Sequence, residues 1–173
     1  VDSETDKTLS AHEQTQLLEK AKKLLPLCQV VIFQDYDKGV INADIIEAMV
    51  MAAKELGIPT VVDPKKRNFL AYKYVTLFKP NLKELKEGLD IEVDPTDLDS
   101  LNQGVLKLTS KLDCDQVMVT LSEHGVFIKN ETESFKLAAH KRQINDVSGA
   151  GDTVISIAAL ALALGLDSNQ IAA

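Results

Sequence analysis

The sequence predicts an α/β fold built on a mostly parallel sheet. Strand-like and helix-like segments alternate along the 173 residues, the order that strand–helix–strand units require. Several strand-like segments are short unbroken apolar runs, such as Val30-Val31-Ile32-Phe33 and Val117-Met118-Val119, the composition of strands covered on both faces. The length is enough for one sizeable core, and no internal repeat or low-complexity linker divides it.

Residues 1–9 are polar and aperiodic and open without methionine, as a fragment or a processed product would. At Ser10 a Ser-Ala-His-Glu capping box precedes apolar residues at Leu17, Leu18, Ala21, Leu24 and Leu25, which predicts an amphipathic helix stopped by Pro26. Residues 29–35 read as the first strand, and Asp35-Tyr36-Asp37-Lys38-Gly39 as the loop at its carboxyl end. Asn42 or Asp44 caps a helix carrying Ile45, Ile46, Met49, Ala53 and Leu56, closed by Gly57 and Pro59. A second strand over 59–63 runs into Asp63-Pro64-Lys65. Such a unit is right-handed in nearly all proteins, so both strands send their carboxyl-end loops to one edge of the sheet. A third strand over 74–78 leads into Lys79-Pro80-Asn81 and a short helix over 82–88. After a loop at 90–95, a helix over 97–112 places Leu98, Leu101, Val105, Leu108 and Leu112 on one face. A strand at 116–121, the turn Ser122-Glu123-His124-Gly125 and a pair of strands at 126–129 and 134–140 precede the last long helix, which starts near Gly149. Asp167 or Ser168 caps a further helix.

With 26 acidic against 19 basic residues the net charge is −7, and Lys65-Lys66-Arg67 is the only tight basic cluster, which tells against nucleic acid as a partner. The longest apolar run, 154–164, is too short to span a bilayer and no signal peptide opens the sequence, so a cytoplasmic protein without membrane contact is expected. Cys28 and Cys114 are isolated beside apolar runs and read as reduced core thiols. His12, His124 and His140 show no metal-ligand spacing.

The most informative chemistry lies at 145–165. Gly149 and Gly151 flank Ala150, so no bulky side chain keeps an anion from the unpaired amides of the helix's first turn, and the helix dipole adds its attraction. Asp152 in that turn could take the proton of an attacking hydroxyl while the amides stabilise a moving phosphoryl group. A structural reading competes: Ser148 as N-cap, the glycines as loop, and Asp152 as an acid that complements the dipole. Asn81 and Glu84, three apart at a helix start, suit Mg²⁺ held through water, or equally an ordinary N-cap with a first-turn acid. Lys65, beside Asp63, can reach a phosphate; Asp35, Asp37 and Lys38 can contact a polar substrate; Thr120, Ser122 and Gly125 can line a nucleotide. Ordinary turn and strand-end chemistry accounts for each of these as well.

Jointly, Asp63-Pro64-Lys65, Pro80-Asn81-Leu82-Lys83-Glu84, Val119-Thr120-Leu121-Ser122-Glu123-His124-Gly125 and Asp146-Val147-Ser148-Gly149-Ala150-Gly151-Asp152-Thr153 resemble the ribokinase-like sugar kinases, the PfkB family. The glycine turn is that family's most specific signature. Within it, residues 35–39, Asp-Pro-Lys and Val147-Ser148 look like the heptose 7-phosphate kinase half of bacterial ADP-heptose synthases. The resemblance runs from about Ser10 onward and covers about half of a family domain.

The resemblance implies a three-layer ribokinase-like fold truncated at both ends, without the amino-terminal sugar-binding and lid half, the carboxyl-terminal helices or an adenylyltransferase domain. It implies ATP-dependent phosphoryl transfer to a sugar phosphate, D-glycero-D-manno-heptose 7-phosphate accepting at carbon 1, for lipopolysaccharide core precursors. Asp152 would be the catalytic base and touch the substrate, with Gly149, Ala150 and Gly151 forming the anion hole. Asn81 and Glu84 would organise Mg²⁺ and the ATP phosphates; Lys65, Thr120, Ser122 and Gly125 would lie along the nucleotide; Asp35 and Lys38 would meet the sugar. A homodimer would assemble through the absent lid. The rivals are another sugar of the same family, a nucleotide-binding fragment without turnover, and a dinucleotide-dependent oxidoreductase. Against the last, Gly149-Ala150-Gly151 lacks the G-x-G-x-x-G spacing; against a P-loop NTPase, no Gly-x-x-x-x-Gly-Lys pattern occurs.

Overall fold

The computed structural model describes residues 7–139 and 149–173. Residues 145–148 of the glycine turn, the Ser148 cap and the end of the last predicted strand at His140 lie outside them. Helix α1 (Ala11–Leu24) starts at the expected capping box, in which the Ser10 N–H donates to the Glu13 carboxylate at 2.8 Å, and Pro26 sits in the single 3-10 turn that closes it. Strand β1 (Val31–Gln34), helix α2 (Ala43–Glu55) and strand β2 (Thr60–Asp63) form the parallel crossover unit. Of its two candidate caps α2 uses Asn42, whose side chain accepts the Ile45 N–H at 3.0 Å. Strand β3 (Leu77–Phe78), helices α3 (Leu82–Leu89) and α4 (Leu98–Leu112), strands β4 (Gln116–Thr120), β5 (Val126–Asn130) and β6 (Ser134–Leu137), and helices α5 (Ala150–Ala163) and α6 (Ser168–Ala172, capped by Asp167) complete the order.

The described sheet runs β1-β2-β3-β4-β5-β6, with β1 to β4 parallel and β5 and β6 added antiparallel. Alternation along each strand divides its side chains between two helical layers. Phe33, Val62, Phe78, Val117, Val119 and Phe127 point to one side, where they pack with the buried stripes of α2, α3 and α4 and the inner edge of α1. Val61, Leu77, Met118 and Ile128 point to the other and meet Ile155, Ala158 and Ala159 of α5 and Ile171 of α6. The result is the expected three-layer arrangement.

Several local expectations fail for tertiary reasons. Strand β1 is an edge of the described sheet, so Ile32, expected to be covered on both faces, is 40% exposed. The third strand shrinks to two residues because Tyr74 takes a left-handed conformation (φ 63°) and its N–H turns to the Leu112 carbonyl. Leu98 is exposed, since the buried stripe of α4 begins one turn later at Leu101. Cys28 is exposed rather than in the core; only Cys114 is buried, and burial pushes its thiol up to about 12.

Candidate active site

Alternation also decides which residues leave the strand ends together. Phe33, Val62 and Phe78 belong to the α1–α4 core, so the next residue of each strand, Gln34, Asp63 and Lys79, faces α5. Gln34 and Asp63 are register partners, and the Lys79 N–H bonds the Val62 carbonyl, so the three form one polar row. Lys79 is 2% exposed and its Nζ lies 3.1 Å from Asp63 Oδ1, a buried ion pair whose mutual attraction offsets the cost of desolvating both groups. Gln34 Nε2 donates to Asp63 Oδ2 at 2.9 Å and to Asp152 Oδ1 at 3.0 Å, while Tyr36 OH donates to Asp152 Oδ2 at 3.2 Å.

The first turn of α5 therefore stands directly on this row. A Cβ on Gly151 would lie 3.7 Å from Asp63 Oδ2 and 4.0 Å from Lys79 Nζ, so a larger side chain would crowd the pair. Gly149 is left-handed (φ 77°) at the N-cap position and supplies no side-chain acceptor to the amides that follow it. Among the described residues nothing stands within 4 Å of where its Cβ would be. The helix dipole makes the start of α5 the anion-attracting feature of this corner, over the neutral Lys79–Asp63 ion pair and with a carboxylate, Asp152, beside it. The bond from Tyr36 to Asp152 raises the phenol, because ionising it would place two negative charges together.

A second group lies along the same edge. Asn81 and Glu84 form a capping box: the Asn81 side chain accepts the Glu84 N–H at 2.8 Å and Glu84 Oε2 accepts the Asn81 N–H at 2.9 Å. Glu84 Oε1 also holds Lys65 Nζ at 2.8 Å. Burial alone would lower the Lys65 ammonium, but the Glu84 bond and the charges of Glu84, Asp63 and Asp35 outweigh it and raise it. Asn81 bridges to Thr120, whose N–H bonds the Pro80 carbonyl, so Thr120 joins this group. Ser122 is exposed in a 3-10 turn (Ser122–His124) with φ 53°. Gly125 has a sufficient structural reason to be glycine: at φ 90° a Cβ would collide with the Leu137 carbonyl.

Asp35 behaves differently from the sugar contact expected of it. It is 1% exposed and points away from α5, where Tyr72 OH donates at 2.8 Å and Asn68 Nδ2 at 3.0 Å to one oxygen and the Asp37 N–H donates at 2.8 Å to the other. Its carboxylate pins the strand end to the α1–α4 layer. Lys38 is exposed in the same loop, where Arg67 pairs with Asp37 at 2.8 Å.

Among known proteins, the pfkB family carbohydrate kinase profile matches residues 3–173. The chain belongs to the pfkB family. Bifunctional protein HldE of Rhodopseudomonas palustris (strain BisA53) is 38% identical over 159 residues, 91% of this chain and 32% of that protein. HldE of Desulfatibacillum aliphaticivorans is 33% identical over 174 residues, covering 100% of this chain and 35% of that protein. The chain spans about a third of the length of these curated relatives. Phosphofructokinase-2 of Escherichia coli, in its tetrameric inhibited form, superposes with a TM-score of 0.80 at 19% identity, covering 95% of this chain and 54% of that one. Arabidopsis thaliana ribokinase complexed with ribose and ATP gives 0.70 at 20%, covering 95% and 50%. These likenesses establish the ribokinase-like fold.

Within this pfkB fold, the residues that sequence reasoning overlooked are Gln34, Tyr36 and Lys79. A signal did exist for Lys79: Val61-Val62-Asp63 and Leu77-Phe78-Lys79 each end an apolar run in a charge, of opposite sign on adjacent strands. Two clefts of about 610 and 280 Å³ lie elsewhere, the first bordered by Leu82, Lys86 and Ile91 and the second by Met51, Leu70 and Tyr74, and neither includes an expected site residue. Among the described residues no cluster of three His, Cys, Asp or Glu could hold a metal by itself, and no helix is long and apolar enough to cross a membrane.

Proposed function

We propose that this chain carries the phosphoryl-transfer centre of an ATP-dependent sugar kinase acting on the carbon-1 hydroxyl of a heptose 7-phosphate. The observation that carries the reading is the Asp152 carboxylate in the first turn of α5, beside amides that among the described residues have no side-chain cap, and above the buried Lys79–Asp63 pair. Asp152 accepts the proton of the attacking hydroxyl, and the amides of Ala150 and Gly151 at the positive end of α5 stabilise the equatorial oxygens of the phosphoryl group in flight. Lys65 lies along the edge within reach of the other phosphates, and Thr120, Ser122 and Gly125 border the nucleotide. The choice of heptose is supported by the identity of 33% and 38% to proteins named HldE.

Asn81 and Glu84 fit Mg²⁺ as partners to its water shell. Their oxygens are hard donors, but the side-chain oxygen of Asn81 and both oxygens of Glu84 already accept hydrogen bonds, which leaves lone pairs for water and no direct cage. Bound there, the ion would neutralise phosphate charge.

The test is Asp152→Asn in the full-length protein. Turnover should fall about 10²- to 10⁴-fold, the usual loss on removing a general base, while ATP binding survives. Turnover within a few-fold of the parent would make Asp152 a dipole-complementing acid, worth about 0.3–1 kcal/mol of stability. The substrate is tested separately: faster phosphorylation of fructose 6-phosphate than of heptose 7-phosphate would displace the sugar assignment and leave the centre intact.

A further inference from the structure

We propose that Gln34 and Tyr36 are positioning residues for Asp152, each holding one oxygen of its carboxylate. The inference rests on Asp152 being the proton acceptor. An aspartate in the first turn of a helix has several rotamers open to it, and proton transfer needs one of them. Here Oδ1 receives Gln34 at 3.0 Å and Oδ2 receives Tyr36 at 3.2 Å. A primary amide has two N–H groups, and the second one of Gln34 goes to Asp63 Oδ2 at 2.9 Å. Turning the amide over would set its oxygen against two carboxylates, so the orientation is dictated by charge.

The chain of contacts thus runs Lys79–Asp63–Gln34–Asp152, from a buried ion pair to the exposed carboxylate. Tyr36 acts from the loop side and is exposed, with the charges of Asp63 and Lys65 also felt at its phenol. The backbone that presents both residues is fixed from the opposite face: Asp35, between them, is pegged to Tyr72 and Asn68, so residues 34 and 36 on either side of it both reach Asp152.

The experiment compares Gln34→Leu, Tyr36→Phe and Asp152→Asn in the full-length protein, with kcat and the KM for ATP measured separately. Gln34→Leu should lower kcat by on the order of 10- to 100-fold and Tyr36→Phe by less, each with the KM for ATP unchanged, as expected for misplacement of one catalytic group. Ultraviolet titration of the phenols supplies a readout independent of turnover: one tyrosine should ionise at lower pH in Asp152→Asn than in the parent. If Asp152→Asn keeps its turnover, the proposed function itself is wrong. If Asp152→Asn is inactive while both other variants keep kcat within two-fold, the positioning role is overturned and the base remains. Should Gln34→Leu fail to fold, the phenol titration decides, and an unchanged tyrosine profile in Asp152→Asn overturns the Tyr36 contact.

Discussion

On the α1–α4 side of the sheet, Phe33 meets Tyr72 edge-on at 5.7 Å and Phe78 meets Phe69 at 5.2 Å, inside a continuous apolar cluster that reaches from Leu25 to Phe127. On the α5 side, one residue further along the same strands, Gln34, Asp63 and Lys79 form a polar row under a helix whose Ile157 and Leu160 remain exposed. The same two-residue alternation produces both. Apolar packing on one face gives the strand ends fixed positions, and that rigidity lets the other face spend its contacts on a buried charge and an aimed carboxylate. Asp35 and Asp152 show the contrast within one loop's reach: the first is sealed and satisfied by three donors, the second is exposed and held by two.

The comparison breaks most sharply at Phe78. Phe78→Ala removes a fully buried ring from the packed face and should cost about 3–5 kcal/mol in a denaturant titration, whereas a smaller loss would mean that this face is not the stabilising one. Next comes Tyr72→Phe, which deletes a donor to the buried Asp35 carboxylate at 2.8 Å; about 1.5–3 kcal/mol is expected, with the loop at 35–39 loosened in hydrogen exchange.

Alkaline pH probes the same face without mutation. Burial, then the charge of Asp35 and the bond to it, raise the Tyr72 phenol, and burial raises the Cys114 thiol to about 12. Both folded values exceed the unfolded ones, so the folded chain holds protons that the unfolded chain releases. Their contribution is complete below about pH 8.5 and is lost as pH climbs toward the folded values, at up to about 1.4 kcal/mol per pH unit for each group. Unfolding free energies that stay flat between pH 8 and 11 would contradict the burial of these two groups.

On the polar edge, Glu84→Gln keeps an amide able to complete the capping box but gives up the charge that holds Lys65 at 2.8 Å. The melting temperature should barely move while the Mg²⁺ concentration for half-maximal transfer rises several-fold; unchanged magnesium dependence would remove Glu84 from the proposed metal site. The smallest effect belongs to the uncovered side of α5. Leu160 is 64% exposed, and Leu160→Ala in the 173-residue chain should stay within about 0.5 kcal/mol of the parent.

The sequence by itself determined what depends on neighbours a few positions apart. The capping box at Ser10, the N-cap and first-turn acid at Asn81 and Glu84, the narrowing of the α2 and α6 caps to two residues each, the parallel crossover from β1 to β2, the hairpin of β5 and β6, and the glycine start of α5 all follow from local spacing. Asp152 was legible as a candidate because its whole environment in the sequence, glycines and helix start, lies within the same turn. Its partners were not. Gln34 stands 118 positions from Asp152 and 29 from Asp63, and only the register of β1 on β2 and the seating of α5 across both bring them together. The direction of Asp35, the exposure of Ile32 on an edge strand, and the glycine requirement at residue 125 against the backbone of Leu137 are of the same kind. A side chain's face is set by alternation, which the sequence states, but what waits on that face is set by strand order and helix placement, which only the folded chain supplies.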